Sequence, residues 1–416
     1  MQKDDKKMAN VAVLGHGIVG SGVVEVLLKN SGIIEKRCGQ AINVKYILDI
    51  REFPELPYSG KFIKDFDKII NDPEIDVVAE LIGGITPACD FVKASLCAKK
   101  SVVSSNKELI AKKGAELLKT AHENNVELFF DASVGGGIPI IQPLYQCLAG
   151  NEIEVIAGIL NGTTNFILTK MIRESMGFDE TLALAQKLGY AERDPSADVD
   201  GDDACRKICI LANIVFGNHI CPESVYTEGI RNVTPEDAAY AGEWGGVIKL
   251  IAYAAKSGDG SGVEMMVCPA FIKSSGHLAG IDDVFNGILV RGNAVGDVVF
   301  FGKGAGKFPT ASAVIGDIIS AVNSKGKSRL PVWSDNGVNT VKNRNEYKAA
   351  FYFRVTGSSA DRFIPQGSQK LELPKKTAEE TAFVTPVITE DEAETLVKNI
   401  EKSGSKLLNR IRVLEY

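Results

Sequence analysis

A short β-branched run, a glycine-rich turn and an amphipathic segment follow one another near the start of the chain. The run and turn read VAVLGHGIVG, and SGVVEVLLKN follows them directly. Strand, turn and helix in this order, with glycines spaced as G-x-G-x-x-G, form the fingerprint of a dinucleotide-binding site. The glycines permit a tight turn and close approach of the backbone to a pyrophosphate. We therefore expect dinucleotide contacts from Gly15, Gly17, Ile18, Val19 and Gly20.

The second predicted strand, in VKYILDI, ends at Asp49. A carboxylate at this position would bond the ribose hydroxyls of NAD and repel the additional phosphate of NADP. Arg51, two residues later, could accommodate that phosphate. The sequence therefore favours NAD without excluding NADP. His16, inside the turn, is interpreted as a tolerated side chain.

Further strands alternate with helices at the spacing of a parallel, doubly wound sheet. The segments IDVVAELIGG and SVVSSNKEL are the next two strands. Ligands of such sheets lie beyond the carboxyl ends of the strands, so Thr86 and Lys107 are expected near the nicotinamide. The alternative for Lys107 is a surface lysine that begins a helix. Residues 1–149 form this domain, and residues 302–325 are expected to complete it.

Two glycine-rich segments indicate close backbone contacts. ELFFDASVGGGIPII contains three consecutive glycines, which predict that the backbone meets a ligand, an ion or another segment closely. GKGAGKFPTASAVIGDIISAV is a second glycine-rich turn that leads into a helix. This turn could lie beside the cofactor.

Residues 150–301 show a different pattern, typical of an α+β domain with an open sheet. EVIAGILNGTTNFILTKM predicts a strand, a polar turn over 161–165 and a helix. Thr234 and Pro235 suit the cap and first position of another helix, followed by helical periodicity. Segments from MMVCPAFIK to DVVFFGKGAG alternate like strands of a mixed or antiparallel sheet.

The stretch GYAERDPSADVDGDDACRK, residues 189–207, concentrates charge directly before the apolar segment ICILANIVF. Glycine and proline predict irregular backbone that presents acidic residues at the entrance to a buried helix. Lys207 would be partly desolvated there, and its pKa could fall towards a range useful for proton transfer. A solvated acidic turn is the alternative.

Composition excludes several classes of function. A net charge of −6 without a basic run gives no indication of nucleic acid or an anionic membrane as partner. Eight cysteines at irregular spacings indicate buried thiols, and the polar start of the chain is not a signal peptide. No apolar run is long enough to span a bilayer. We expect a reduced, cytoplasmic protein.

The end of the chain is predicted to form a small α+β module. A polar stretch over 326–346 is interpreted as a linker. Residues 347–416 begin with the strand YKAAFYFRV, end with the strand RIRVLEY and contain a helix that starts at Thr389, where Glu392 suits a capping box. No catalytic constellation is visible in this module.

Three motifs together resemble homoserine dehydrogenase: ILNGTTNFIL, AQKLGYAERDPSADVDGDDACRKICIL and GKGAGKFPTASAV. The resemblance covers residues 8–325. It implies a Rossmann-type domain joined to a substrate and dimerisation domain, and reduction of L-aspartate 4-semialdehyde to L-homoserine with NADH or NADPH. The pathway implied is the synthesis of threonine, methionine and isoleucine, and the assembly implied is a homodimer or homotetramer.

The resemblance also implies residue roles. Lys207 matches the proposed proton donor to the carbonyl oxygen, and Lys107 matches a lysine at the nicotinamide and substrate. Glu192 matches the carboxylate that holds the substrate ammonium. The other implied contacts are Asp203 and Thr163 at the substrate, Gly189 and Gly304 at the cofactor, and Asp131, Val134, Gly136 and Ile138 around a sodium ion.

This chain departs from the family pattern at three places. Leu48 stands before Asp49 where many members that use NADP carry arginine, which supports NAD. Asp131 replaces a common glutamate in the sodium-binding stretch, although a shorter carboxylate still offers a hard oxygen. The C-terminal module resembles an ACT domain, but TGSSADRFIPQGSQKLELP replaces its usual loop and first helix. An assembly module and an amino-acid sensor are both consistent with it.

Two alternative functions remain open at this stage. The first is another two-domain NAD(P) oxidoreductase that acts on a different aldehyde or a sugar. The second is a non-catalytic NAD-binding regulator. The presence of Glu192, Asp203, Lys107 and Lys207 together argues against the regulator, because a protein without catalysis need not keep all four.

Overall fold

A computed structural model describes residues 8–324, 333–357, 360–373 and 380–416. The chain forms two compact units. The first comprises Met1–Gly150, Cys209–Cys221 and Gly302–Val338, and the second comprises Asn151–Ile208, Pro222–Phe301 and Asn339–Tyr416. The domain boundaries drawn from the sequence stay a prediction.

The strands of the described residues are numbered in chain order. They are β1 (Ala9–Leu14), β2 (Ile42–Leu48), β3 (Phe62–Ile63), β4 (Ile75–Glu80), β5 (Ser101–Ser104), β6 (Leu128–Phe129), β7 (Ile153–Ile159), β8 (Tyr226–Thr227), β9 (Gly246–Lys256), β10 (Val263–Lys273), β11 (Phe285–Gly292), β12 (Gly296–Lys303), β13 (Lys348–Thr356), β14 (Gln369–Leu371), β15 (Glu380–Val384), β16 (Ile388–Thr389) and β17 (Lys406–Val413).

The α-helices are numbered in the same way. They are α1 (Ile18–Lys29), α2 (Ser31–Cys38), α3 (Asp67–Ile70), α4 (Ala88–Cys97), α5 (Lys107–Glu123), α6 (Ile141–Tyr145), α7 (Gly162–Glu174), α8 (Phe178–Lys187), α9 (Ser196–Val199), α10 (Asp202–Phe216), α11 (Pro235–Glu243), α12 (Lys307–Ser324) and α13 (Glu390–Lys402). Short 3-10 turns cover Ser59–Lys61, Asp131–Ser133, Pro222–Ser224, Arg344–Glu346 and Ala360–Phe363.

The first unit contains a parallel sheet with the strand order β3-β2-β1-β4-β5-β6. Every residue of β1 is buried, as expected for a central strand of a sheet that is covered on both faces. The order reverses between β1 and β4, and ligands of such sheets bind at this point. The predicted doubly wound, parallel Rossmann-type sheet is confirmed.

The second unit contains a mixed sheet with the order β12-β11-β7-β9-β10-β17-β13-β15-β14, to which β8 and β16 add short pairings. The pairings β11–β7, β7–β9 and β9–β10 are antiparallel, whereas β10 and β17 are parallel. A core that includes Ile251, Met266 and Leu289 packs on this sheet. The predicted α+β architecture is confirmed.

The C-terminal segment shares this sheet. Strand β17 pairs with β10 as well as with β13, so the sheet continues from the central strands into the segment predicted as a small module. Phe351, Phe353 and Phe383 pack with Ile400 of α13 in a cluster of their own. Thr389 and Glu392 form the expected capping box of α13.

One helix is shorter than its sequence pattern indicates. The cap at Thr234 is present and forms a capping box with Asp237. However, α11 ends at Glu243, and the apolar segment that follows is strand β9, which corrects the expected helical continuation. Gly245 has a φ of 85°, which ends the helix.

The predicted linker is anchored at several residues, and Trp333 is the first of them in the described part of the chain. Residues 325–332 lie outside the described part of the chain. Trp333 is buried, and a Cβ on Gly114 would lie 2.3 Å from its Cζ2 atom. The indole also meets Phe130 edge to face at 5.7 Å between ring centroids. The chain is therefore fixed to the first unit directly after residue 332.

Candidate functional site

The glycine-rich turn after β1 has the geometry that a dinucleotide requires. Gly15 has a φ of 91°, and a Cβ on it would lie 3.0 Å from the carbonyl oxygen of Leu81. A Cβ on Gly20 would lie 1.9 Å from the carbonyl oxygen of Gly15, so only glycine fits. Gly17 faces open space. Helix α1 begins at Ile18 and directs its N-terminus to this space, where backbone N–H groups can bind a pyrophosphate.

Asp49 follows β2 at the edge of a cavity of about 450 Å³ that is also lined by Gly15 and Gly17. Arg51 donates three hydrogen bonds to its carboxylate, from Nε to Oδ1 at 3.0 Å, from Nη2 to Oδ2 at 2.9 Å and from its backbone N–H to Oδ1 at 2.9 Å. The His16 N–H donates to Oδ2 at 2.7 Å. The guanidinium holds the pKa of the Asp49 carboxyl well below its usual range. The carboxylate is therefore ionised and fixed.

His16 is more than a tolerated side chain. Its ring packs edge to face on Phe53, Tyr58 and Phe62, and its Nε2 lies 3.1 Å from the Tyr58 hydroxyl. Burial lowers the pKa of His16, which favours the neutral imidazole. The glycine-rich turn and the segment after Asp49 are thus held together by an aromatic cluster. The sequence offered a signal in the three aromatic residues that follow Asp49 within fourteen positions.

The loops after β4 and β5 are tied together by hydrogen bonds. Ser104 Oγ donates to Glu80 Oε2 at 2.6 Å, and Asn106 Nδ2 donates to the carbonyl oxygen of Gly84 at 2.6 Å. Asn106 caps α5 by accepting from the Leu109 N–H at 3.1 Å. Lys107 is therefore the first residue of a fixed helix at the carboxyl end of β5. Thr86 lies on the exposed loop after β4.

Lys207 and Asp203 form a buried ion pair on α10 in the second unit. Lys207 Nζ donates to Asp203 Oδ2 at 2.7 Å and to the carbonyl oxygen of Leu160 at 2.7 Å. Both side chains are less than 10% exposed. The expectation of irregular backbone is wrong here, because α10 begins at Asp202. The spacing i,i+4 places the two charges on one helical face.

Two residues missed by the sequence analysis hold this pair in place. Asn161 Nδ2 donates to Asp203 Oδ2 at 2.9 Å and to Asp198 Oδ1 at 2.7 Å, and its own side-chain oxygen caps α7. The predicted polar turn over 161–165 is thus mostly the first turn of α7. Burial raises the pKa of the Asp198 carboxyl, and the Asn161 amide opposes this shift.

The remaining predicted substrate residues lie on the acidic loop or against it. Thr163 Oγ1 donates to the carbonyl oxygen of Tyr190 at 2.7 Å. Glu192 is exposed, and its carbonyl oxygen accepts from Gln186 Nε2 at 3.0 Å. Gly189 is exposed with a φ of 76°, and a Cβ on it would meet nothing within 4 Å. The Glu192 side chain is thus presented to solvent, whereas Thr163 is tied to the stretch by its hydroxyl.

The expected sodium residues lie in one turn, and their carboxylate is already engaged. Asp131 Oδ1 accepts from the N–H groups of Ile140 at 3.0 Å and Ile141 at 2.9 Å. Asp131 Oδ1 is thus occupied by backbone donors, and the backbone carbonyls of Asp131, Val134, Gly136 and Ile138 are further hard oxygens that a cation could use. Within the described residues, no group of three or more His, Cys, Asp or Glu side chains could hold a metal ion.

The three-glycine run meets another segment of the same unit. Gly136 has a φ of 58°, and a Cβ on it would lie 2.1 Å from the carbonyl oxygen of Gly304. A Cβ on Gly137 would lie 2.7 Å from Pro309 Cβ. The close approach expected of this run is present. Gly304 is thereby buried under the turn that carries Asp131.

Comparisons with known proteins agree with this arrangement. The family model described as "Homoserine dehydrogenase, NAD binding domain" matches residues 15–131, and the model described as "Homoserine dehydrogenase" matches residues 139–319. The homoserine dehydrogenase of Synechocystis sp. is 46% identical over 318 residues, which are 75% of this chain and 73% of that protein.

Solved structures show the same similarity. A homoserine dehydrogenase from Thiobacillus denitrificans is 35% identical, with a TM-score of 0.90 over 98% of this chain and 99% of that chain. A hyperthermophilic archaeal homoserine dehydrogenase in complex with NADPH is 30% identical, with a TM-score of 0.64 over 76% of this chain and 97% of that chain. None of the helices in the described ranges has the length and apolar character needed to cross a membrane. On these matches the chain belongs to the homoserine dehydrogenase family.

Proposed function

We propose that this chain interconverts L-aspartate 4-semialdehyde and L-homoserine with NAD(P), and that Lys207 is the general acid and base. The observation that carries this assignment is the buried Lys207 ammonium, held between Asp203 and the Leu160 carbonyl oxygen. Asp203 is itself fixed by Asn161. Such a group has a defined position from which it can exchange a proton with a substrate oxygen.

The chemistry follows from the charges of the residues. A bound dinucleotide would supply or accept the hydride. Reduction of the aldehyde leaves negative charge on its oxygen, which the Lys207 ammonium would stabilise before it donates a proton. In the reverse direction the neutral amine would take the hydroxyl proton. Glu192 and Asp203 would attract the substrate ammonium, Thr163 would line the same site, and Lys107 would act at the nicotinamide and substrate.

The dinucleotide contacts would come from the glycine-rich turn, the start of α1 and the loops after β4 and β5. Their members are Gly15, Gly17, Ile18, Val19, Gly20, Thr86 and Lys107, with Gly189 and Gly304 completing the set. NAD is the preferred cofactor in this proposal, because the fixed Asp49 carboxylate suits ribose hydroxyls and repels a phosphate.

A sodium ion would be held by the backbone carbonyls of the turn that contains Asp131, Val134, Gly136 and Ile138. Its effect would be structural, since the turn also supports Gly304. The melting temperature measured in sodium against tetramethylammonium salts tests this site directly. Equal values would remove sodium from the proposal.

The remaining proposals concern the whole protein. Residues 347–416 would be an ACT-like module that serves assembly or senses an amino acid, and 1–149 with 302–325 and 150–301 would be the catalytic domains. The protein would be a cytoplasmic homodimer or homotetramer that takes part in the synthesis of threonine, methionine and isoleucine. Threonine is the effector to include in assays, and insensitivity to it would favour assembly.

The first experiment measures homoserine-dependent reduction of NAD and NADP by purified protein and by Lys207→Ala. We expect the substitution to lower kcat by roughly 10²- to 10⁴-fold, the usual contribution of a positioned acid or base. Dinucleotide affinity, measured by fluorescence titration, should change little, because Lys207 is not among the proposed dinucleotide contacts. Lys119→Ala is the control, since its side chain is 75% exposed on α5.

Two results would contradict the assignment. A Lys207→Ala protein with near-normal turnover would remove this lysine from the mechanism. A wild-type protein that binds dinucleotide but oxidises homoserine no faster than unrelated alcohols would indicate another substrate.

A further inference from the structure

A cluster of buried charges joins the last strand to the residues that follow β8. Arg412 of β17 has 2% of its surface exposed. Its guanidinium donates to both carboxylate oxygens of Glu390, and its Nη1 donates to Glu228 Oε2 at 2.9 Å. Because a buried guanidinium needs carboxylate partners, and loss of one partner is strongly destabilising, Arg412 fixes the position of Glu228.

The three residues after Glu228, residues 229–231, contact the acidic loop at Val199 and Asp200. The Ile230 N–H donates to the carbonyl oxygen of Val199 at 2.9 Å. Gly229 lies so close that a Cβ on it would be 2.2 Å from the same oxygen and 2.5 Å from Asp200 Cα. Arg231 donates to both carboxylate oxygens of Asp200, with Nη2 at 3.0 Å from Oδ2. The position of this segment therefore sets the position of the loop backbone.

The side chain of Asp198 begins a series of hydrogen bonds that reaches Lys207. Asp198, directly before Val199, accepts from Asn161, which also donates to Asp203. Asp203 pairs with Lys207. A shift of the 198–200 backbone would thus alter the hydrogen bonds of Asn161 and the orientation of the ion pair.

The C-terminal strands also hold the far end of the same segment. Asn409 Nδ2 of β17 donates to the carbonyl oxygen of Asn232 at 2.9 Å and to Asp237 Oδ2 at 2.7 Å. The Tyr352 hydroxyl of β13 donates to Asp237 Oδ1 at 3.0 Å. Residues 228–237 are therefore held at both ends by side chains of the last seventy residues of the chain.

We infer that Arg412 is a positioning residue for the acidic loop, residues 189–207, and that it acts through Glu228 and the 228–231 segment. This inference rests on the proposed function of Lys207 and Asp203. It gives the C-terminal strands a role in homoserine binding that needs no effector molecule. The connection runs through contiguous contacts inside the second unit, from Arg412 to Glu228, to Val199 and Asp200, and on to Asn161.

Three variants test the connection at successive points. Gly229→Ala places a methyl group against the loop backbone without removing any charge. Glu228→Gln keeps the shape of the side chain but removes the charge that Arg412 faces. Arg412→Lys retains one charge and loses the forked geometry. Gly242→Ala is the matched glycine control, because it lies exposed on α11 and its Cβ would meet nothing within 4 Å.

Arg291→Gln is the matched control for loss of a charged pair. Arg291 donates to both carboxylate oxygens of Asp297 at 2.6 and 2.9 Å, elsewhere on the sheet. The readouts are kcat and KM for homoserine, KM for the dinucleotide, and amide hydrogen exchange over residues 189–203.

We expect Gly229→Ala to lower kcat/KM for homoserine by about 10- to 10²-fold, the scale of a 1 Å misplacement of substrate groups. KM for the dinucleotide should stay within about twofold, since misplacement is confined to the loop. Glu228→Gln and Arg412→Lys should also raise KM for homoserine. Both should increase amide hydrogen exchange over residues 196–203. Both control variants should behave like wild type.

The two possible failures are distinguishable. If wild type oxidises homoserine and all three variants match the controls in homoserine KM and in exchange, the inference is overturned while the proposed function stands. If wild type does not oxidise homoserine, the proposed function fails. Amide hydrogen exchange over residues 189–203 then tests whether Arg412 and Glu228 position the acidic loop. Unchanged exchange in all three variants overturns the inference, and increased exchange confined to the loop supports it. A variant that does not fold is replaced in the comparison by the other two.

Discussion

At the residue scale, the Asp49 carboxylate has an expected ligand and several protein partners, and the dinucleotide fingerprint predicts only the ligand. It is the expected partner of the ribose, and it also accepts three hydrogen bonds from Arg51 and one from the His16 N–H. While the Arg51–Asp49 ion pair exists, the Arg51 guanidinium is not available to bind the additional phosphate of NADP. We therefore expect the choice between NAD and NADP to depend on this ion pair.

We expect Asp49→Ser to shift the cofactor preference towards NADP. The serine hydroxyl can still accept from the His16 N–H, but Arg51 is released to bind a phosphate. Loss of hydrogen bonds to a charged group costs about 1.5–3 kcal/mol, so kcat/KM for NAD should fall roughly 10- to 100-fold. The measurement is the ratio of kcat/KM values for NAD and NADP. Asp90→Ser, on the exposed first turn of α4, is the control. A ratio equal to that of wild type would show that Asp49 does not select the cofactor.

The Lys207–Asp203 ion pair shows which features of single residues can be predicted from a sequence. Lys207 and Asp203 were identifiable because they stand in a charged stretch that precedes an apolar segment and match a family motif. Asn161 and Asp198 were not, because their contacts join the N-cap of α7 to α9 over 37 residues and to α10 over 42 residues. Hydrogen bonds over such separations depend on packing, and local spacing does not encode them.

At the element scale, β9 explains the one helix whose end was misjudged. GVIKLIAYAAK is apolar at nearly every position, and all but a few of its residues are buried in the strand. A strand that is covered on both faces loses the period of two that identifies a half-buried strand. Its apolar run then resembles a buried helix. By contrast, β1 and β2 were predictable because the glycine-rich turn fixes what precedes and follows it.

Helix α12 is attached to the turn at residue 131 by a buried carboxyl group. Asp317 Oδ2 accepts from the Asp131 N–H at 2.8 Å, and Oδ1 accepts from Gln142 Nε2 at 2.9 Å. Burial, together with the negative charge of Asp131, raises the pKa of Asp317 well above its usual value. The folded protein therefore keeps this proton to a higher pH than the unfolded chain does.

We expect Asp317→Asn to become more stable relative to wild type as the pH rises. Above about pH 4, the ordinary pKa of an aspartate, the unfolded chain releases the proton while the folded protein retains it, so the wild-type contribution falls as pH increases. An asparagine does not titrate and can accept from the Asp131 N–H. Melting temperatures of both proteins between pH 5 and 8 test this expectation, with Asp90→Asn as the control. A difference that is constant over this range, or that declines, would contradict it.

At the scale of the whole molecule, the two sheets were predictable in kind, whereas their extent was not. Alternation of strands and helices indicated the parallel sheet, because the pattern repeats locally. The second sheet takes strands from residues 153 to 413, and β10 pairs with β17 across more than 140 residues. No local sequence pattern predicts that the C-terminal strands continue the sheet of the second unit. Arg412 nevertheless lies next to Glu228 because β17 pairs with β10 in that sheet.

One edge strand of the same sheet has features that favour association with a second copy of the chain. β12 stands at one end of the strand order, and its outward face exposes Val299 and Phe301, the latter 58% exposed. Apolar side chains on an edge strand favour pairing with another chain, and a lysine on such a strand opposes it. We therefore expect a homodimer or homotetramer in light scattering, and a smaller mass for Val299→Lys. Val387→Lys is the control, since Val387 is 67% exposed away from this strand. A monomeric wild type would refute the assembly itself, whereas an unchanged mass for Val299→Lys would place the interface elsewhere.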